Sequence, residues 1–200
     1  MTHLPTLIIV TGPPGAGKST LALQLSATLP CPLISRDAIR AGLVLGNPQA
    51  LNHTRVNQLF QTSVTHLLHH GSAVICEAAF QHPVWQSLLA DWQACGRIVV
   101  ICCHIDASTA LQRITTRLNQ QPWRAHIHDD QTYIDQLSQN LGRNADFHYL
   151  HMPTPIYQVD TRQPVDLTML TQWIHTLPES PTRQLLRNHN GLRYRNQPQT

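Results

Sequence analysis

Apolar residues along this chain fall into two patterns: short unbroken runs, and longer stretches in which they recur every three or four positions. The unbroken runs are Leu7 to Val10, Pro32 to Ile34, Ala73 to Cys76, Ile98 to His104 and Ile156 to Val159. Runs that are apolar throughout, rather than alternating, predict strands buried on both faces. The stretches between them read as helices with legible ends. One runs from Gly17 to Leu29 and stops at Pro30. A second passes through Val56, Leu59, Phe60, Val64, Leu67 and Leu68 and stops at Gly71. A third runs from Pro83 to Cys95 and stops at Gly96. A fourth starts near Ser108, read as its N-cap, and continues through Leu111, Ile114 and Leu118. Between Asn119 and Asp130 the pattern lapses into polar sequence, which predicts a lid or mobile loop over about 113–130. A weaker helix through Tyr133, Ile134 and Leu137 follows. The last helix is expected over Pro164 to Leu177, with proline in its first turn. Strand and helix alternating in this way predict a parallel sheet covered by helices, in the α/β class.

Chemistry enters at the end of the first strand. Gly12-Pro13-Pro14-Gly15-Ala16-Gly17-Lys18-Ser19 satisfies GxxxxGK[ST], follows a buried run and opens a helix. Its glycines let the backbone curl so that N–H groups point at phosphate oxygens, and the helix N-terminus adds its dipole. Lys18 is then placed to reach the β- and γ-phosphates and the Ser19 hydroxyl to help coordinate Mg²⁺, with Thr20 next in the helix. Lys18 is also the only lysine in the chain. Nucleotide-phosphate binding is therefore the first functional expectation. No Asn-Lys-x-Asp guanine-reading pattern occurs, which favours ATP over GTP.

The second strand runs into Ser35-Arg36-Asp37-Ala38-Ile39-Arg40, with Asp37 just past the carboxyl edge of the sheet, where open α/β folds bind ligands. Asp37 also reads as a cap for the following helix. Arg113 and Arg117 lie four apart on one helix face, and Arg124 follows in the polar stretch. The phosphate loop, a second strand and then Asp-x-x-Arg together resemble the P-loop kinase group that includes polynucleotide 5′-kinases, chloramphenicol phosphotransferase and zeta toxins, with an AAA-type ATP-binding kinase-like domain. The resemblance covers about residues 6–175. It implies a three-layer α/β/α fold with a five-stranded parallel sheet and a small helical lid. It further implies that Asp37 is the general base on an acceptor hydroxyl and that Arg40 holds the acceptor or transferred phosphate. Arg117, with Arg113 and Arg124, would close over the phosphates of ATP. Glu77, at the end of the third strand, stands where the group more often carries Asp, so its role stays open between a Mg²⁺-bound water and the acceptor. The region Val159-Asp160-Thr161-Arg162 would border the adenine.

Charge bears on the acceptor. Lys and Arg total fourteen against eleven Asp and Glu, and four of the arginines but only one glutamate lie after Leu177. The body over 1–177 is thus neutral, and a basic, Pro-, Asn- and Gln-rich tail over 178–200 is expected to be flexible. A neutral body favours a small hydroxyl-bearing acceptor over a nucleic-acid 5′ end unless the tail supplies a basic groove. Two other readings are an ATP-hydrolysing regulatory switch and a zeta-like toxin acting on a nucleotide sugar. The five cysteines read as reduced, buried thiols, and the start of the chain lacks secretory features, so a cytoplasmic location is expected and no membrane partner. The thirteen histidines read as surface residues rather than a metal site. Trp85, Trp92 and Trp173 read as core, and Trp123 as a lid residue able to stack on a substrate ring.

Overall fold

The computed structural model describes residues 4–47, 49, 51–80, 85–127, 130–139 and 154–177. The expected tail over 178–200 lies outside the described residues. The elements are β1 Thr6–Thr11, α1 Lys18–Thr28, β2 Leu33–Ser35, α2 Arg36–Gly46, α3 His53–His69, β3 Val74–Glu77, α4 Gln86–Cys95, β4 Arg97–His104, α5 Ala107–Gln120, α6 Arg124–Ile127, α7 Asp130–Gln139, β5 Ile156–Asp160 and α8 Leu167–Thr176. The five strands form one sheet in the order β2-β3-β1-β4-β5, and every neighbouring pair is parallel.

The unbroken apolar runs are explained by packing on both sides of this sheet. Along β1, Leu7 and Ile9 point into one core with Phe60, Val64, Leu68 and Trp92 of α3 and α4. Ile8 and Val10 point into a second core with Leu21 and Leu25 of α1 and Leu170 and Ile174 of α8. Successive residues of a strand face opposite ways, so a central strand between two helical layers must be apolar at every position. The first core is the more aromatic: Phe60, Phe80, Trp85 and Trp92 pack with centroids 4.8–6.3 Å apart, and Trp92 donates its indole N–H to Thr65 Oγ1 at 2.9 Å. Trp173 packs edge-on against Tyr157. A smaller cluster of Ala110, Ile114 and Ile134 joins α5 to α7.

Three helix starts differ from the sequence reading. The N-cap of α5 is Asp106, not Ser108: the Asp106 carboxylate accepts from the Thr109 amide at 2.8 Å and from the hydroxyls of Ser108 and Thr109. These donors hold Asp106 well below the usual carboxylate range. The last helix begins at Leu167, capped by Asp166 accepting from Met169 N, so Pro164 precedes it instead of opening it. Asp37 is not a cap. Ser35 is, accepting from Ala38 N at 3.3 Å, and Asp37 lies in the first turn, where a negative charge meets the positive end of the helix dipole. Pro83, the expected start of α4, lies outside the described residues; the helix as described begins at Gln86 and ends at Gly96 as expected.

Candidate active site

The parallel topology brings the carboxyl ends of all five strands to one edge of the sheet. Pairing registers Ser35 with Glu77 and Glu77 with Val10, so the ends of β2 and β3 stand beside the loop that leaves β1. That loop turns on glycines. Gly12 has φ 147° and Gly15 φ 80°, both disfavoured by L side chains. The space around them is also closed. A Cβ on Gly12 would meet the carbonyl oxygen of Cys103 on β4, and one on Gly15 would lie 2.9 Å from the Ala110 carbonyl oxygen on α5. Gly12→Ala is therefore expected to destabilise the fold by about 1–3 kcal/mol or more, because it combines backbone strain with a clash against fixed main chain. Thermal denaturation without nucleotide reads this directly.

Behind the loop, Ala16 is fully buried and its amide donates to Pro13 O at 3.2 Å. Lys18 opens α1. Its side chain is buried, and Nζ donates to Pro13 O at 3.0 Å, closing the loop on itself. Burial pushes the Lys18 ammonium below its ordinary pKa, while Glu77 and Asp37 pull it back up. Pro14, Gly15, Gly17, Ser19 and Thr20 line the cleft above, whereas Gly12, Pro13 and Ala16 shape the loop from behind.

This cleft has a volume of about 1280 Å³. Asp37 and Arg40 enter it from α2, Arg113 and Arg117 from α5, and Trp123 and Arg124 from the segment that follows. Residues designated from widely separated stretches of sequence thus share one site. Arg113 also braces the phosphate loop against the turn after β5, since its guanidinium donates to Thr161 O at 2.7 Å, to Thr161 Oγ1 at 3.2 Å and to Gly15 O at 3.5 Å. Trp123 is half exposed, with the Arg124 guanidinium 5.7 Å from its ring. Trp85, read from sequence as core, is buried but also lines the cleft.

Sequence reasoning left Glu77 open and did not single out Ser35. Glu77 is 1% exposed; its Oε2 accepts from Ser35 Oγ at 2.7 Å, and its Oε1 is buried with no hydrogen-bond partner among the described residues. Burial pushes the Glu77 carboxyl above its usual range, against the pull of Lys18 and of the Ser35 and Ser19 hydroxyls. The Glu77 oxygen without a partner and the Ser19 hydroxyl that draws on the same carboxylate form a hard-oxygen donor set, which fits Mg²⁺ bound through one carboxylate and substrate phosphates. The sulfur chemistry is different. Burial holds Cys102 at about 11 and Cys103 at about 12, so both thiols stay protonated and serve as packing. Among the described residues no group of three or more His, Cys, Asp or Glu is placed to hold a metal, and no helix is long and apolar enough to cross a membrane.

The family model of an AAA domain matches residues 7–141, from β1 through the last residues of α7 and just beyond. The chain belongs to this family. The AAA-domain match spans the phosphate loop, Asp37, Glu77 and the arginines of α5, while Thr161, which braces the loop through Arg113, lies beyond it. Solved structures share the fold. A provisionally named kinase from Chloroflexus aurantiacus J-10-fl superposes with a TM-score of 0.73 at 24% identity, over 88% of this chain and 98% of that one. A shikimate kinase from Bacteroides thetaiotaomicron gives a TM-score of 0.53 at 17% identity, over 86% and 98%. The Pnkp1/Rnl/Hen1 RNA repair complex contains a chain matching at 0.53 and 21% identity, over 76% of this chain and 51% of that one. The three-layer α/β architecture with an all-parallel five-stranded sheet is thus that of P-loop kinases.

Proposed function

We propose that this AAA-domain protein is an ATP-dependent kinase that transfers the γ-phosphoryl group of MgATP to a hydroxyl of an acceptor. The observation that carries the reading is the convergence of a closed phosphate loop, an acidic residue and arginines from two other helices in one cleft. At about 1280 Å³ the cleft exceeds the ~300–1,000 Å³ common for a single small ligand, leaving room for a second substrate beside the nucleotide.

In this reading the loop amides and the N-terminus of α1 hold the phosphates. Lys18 exchanges Pro13 O for a phosphate oxygen, which restores a counter-charge to a buried ammonium. Ser19 and Glu77 would hold Mg²⁺, which when bound neutralises charge on the β- and γ-phosphates. Asp37 accepts the proton of the acceptor hydroxyl as its oxygen bonds to the γ-phosphorus. The bond from that phosphorus to the β,γ-bridging oxygen breaks, and ADP leaves with the bonding pair. Arg117 and Arg40 stabilise the charge spread over the transferred group, a role suited to the planar guanidinium. Arg113, through Gly15 and Thr161, keeps the loop and the nucleotide's far edge in register.

The neutral body over 1–177 supports a small acceptor, with a nucleic-acid 5′ end as the other candidate. The test is incubation with γ-labelled MgATP and separate pools of 5′-hydroxyl oligonucleotides, nucleosides, nucleotide sugars and small polyols and phenicol alcohols, with Lys18→Ala as the blank. Label is expected in one pool. Phosphate release with no acceptor labelled would instead point to a nucleotide-hydrolysing switch.

A further inference from the structure

We propose that Ser35 is a positioning residue that couples the nucleotide half of the cleft to the acceptor half, by tying Glu77 to the first turn of α2. The inference rests on the nucleotide-binding reading above and concerns how that one site is assembled.

Three contacts carry it. Ser35 is the last residue of β2, registered opposite Glu77 at the end of β3. Its hydroxyl donates to Glu77 Oε2 at 2.7 Å, and the same oxygen accepts from Ala38 N at 3.3 Å as the N-cap of α2. A serine hydroxyl has one proton to give and lone pairs to receive with, so the two bonds are compatible only when the proton points at Glu77. The direction of the Ser35 hydroxyl, and hence the quality of the cap, is therefore set by the carboxylate behind it.

Within hydrogen-bond distance that carboxylate is held at one end only, with the Ser19 hydroxyl also drawing on it. Its second oxygen, Oε1, is buried and lacks a hydrogen-bond partner among the described residues, and the residue lines the same cleft as Lys18, Ser19 and Asp37. A buried acceptor in this state calls for a donor or a cation. In the proposed reading Glu77 and Ser19 would hold the Mg²⁺ of the nucleotide, and that cation would supply the missing partner. Because the carboxylate is a rigid plane, anchoring Oε1 also fixes Oε2, the Ser35 hydroxyl against it, and the Ala38 amide. Asp37 and Arg40 ride on the turn so fixed. The acceptor side of the site is thereby completed by arrival of the nucleotide.

The test uses the full chain, amide hydrogen exchange by NMR, and the non-hydrolysed analogue MgAMPPNP as the probe, with Ser35→Gly and Ser35→Thr as variants. Glycine is a tolerated N-cap that removes the hydroxyl link, so a folded helix start is retained; threonine keeps both cap and link. In the wild type and Ser35→Thr, saturating MgAMPPNP is expected to slow exchange of the Ala38 amide by about fivefold, the factor matching an N-cap of ordinary strength. In Ser35→Gly the slowing is lost while the dissociation constant of MgAMPPNP is little changed. A Ser35→Gly protein that keeps the nucleotide-dependent slowing, or a wild type that binds MgAMPPNP without it, would overturn the coupling and leave the kinase reading standing. A wild type that does not bind MgAMPPNP would overturn both.

Discussion

Lys18→Ala is expected to lower kcat/KM for phosphoryl transfer by about 10²–10⁴-fold. Each hydrogen bond from a charged group to phosphate contributes about 1.5–3 kcal/mol, and in the proposed reading Lys18 makes two. No other lysine exists to substitute for it. Stability should move the other way or not at all. In the nucleotide-free protein the ammonium is buried against Pro13 O, and burial depresses its pKa, so the charged form is less favourable folded than unfolded. Calorimetric titration with MgATP and a melting curve without it, run on the same preparation, separate the two effects. Retained nucleotide affinity in Lys18→Ala would remove the phosphate loop from the mechanism.

Asp37→Asn is expected to reduce kcat by about 10²–10⁴-fold while leaving MgATP affinity nearly unchanged, once the labelled acceptor is known. Asparagine keeps the size and hydrogen-bonding reach of the side chain but cannot take up a proton. The helix start should survive, because Ser35 rather than Asp37 supplies the cap. A drop in kcat with intact nucleotide binding is the signature of a group that acts on the attacking hydroxyl, whereas equal losses in nucleotide affinity and turnover would mark Asp37 as an electrostatic partner of Lys18. Single-turnover measurements with nucleotide prebound distinguish these outcomes.

The sheet was legible to within a residue or so at each strand because its signal is local. A central strand between two helical layers has no face on which to place a polar residue, and Leu7 to Val10 shows that in four letters. Helix starts were less legible. A cap depends on which oxygen reaches a particular amide, and neighbouring side chains compete: Asp106 outreached Ser108, Asp166 lay inside Pro164, and Ser35 took the role open to Asp37. In the site, residues carrying a motif could be named from spacing alone. The contacts that join them could not, since Ser35 meets Glu77 across 42 positions and Arg113 meets Thr161 across 48, through strand register and helix packing that no local pattern encodes.

A chain of 200 residues with a single lysine, buried at the phosphate loop, has an unusual relation to amine chemistry. Acylation, acetylation or attachment of a ubiquitin-like modifier to a lysine side chain has one address, and in the proposed reading that address is the nucleotide seat. Any such modification must wait for an empty cleft and, once made, keeps it empty. In the laboratory an amine-reactive label at this one ε-amine, buried against Pro13 O in the nucleotide-free protein, reads how often the phosphate loop opens, with nucleotide expected to slow the reaction further.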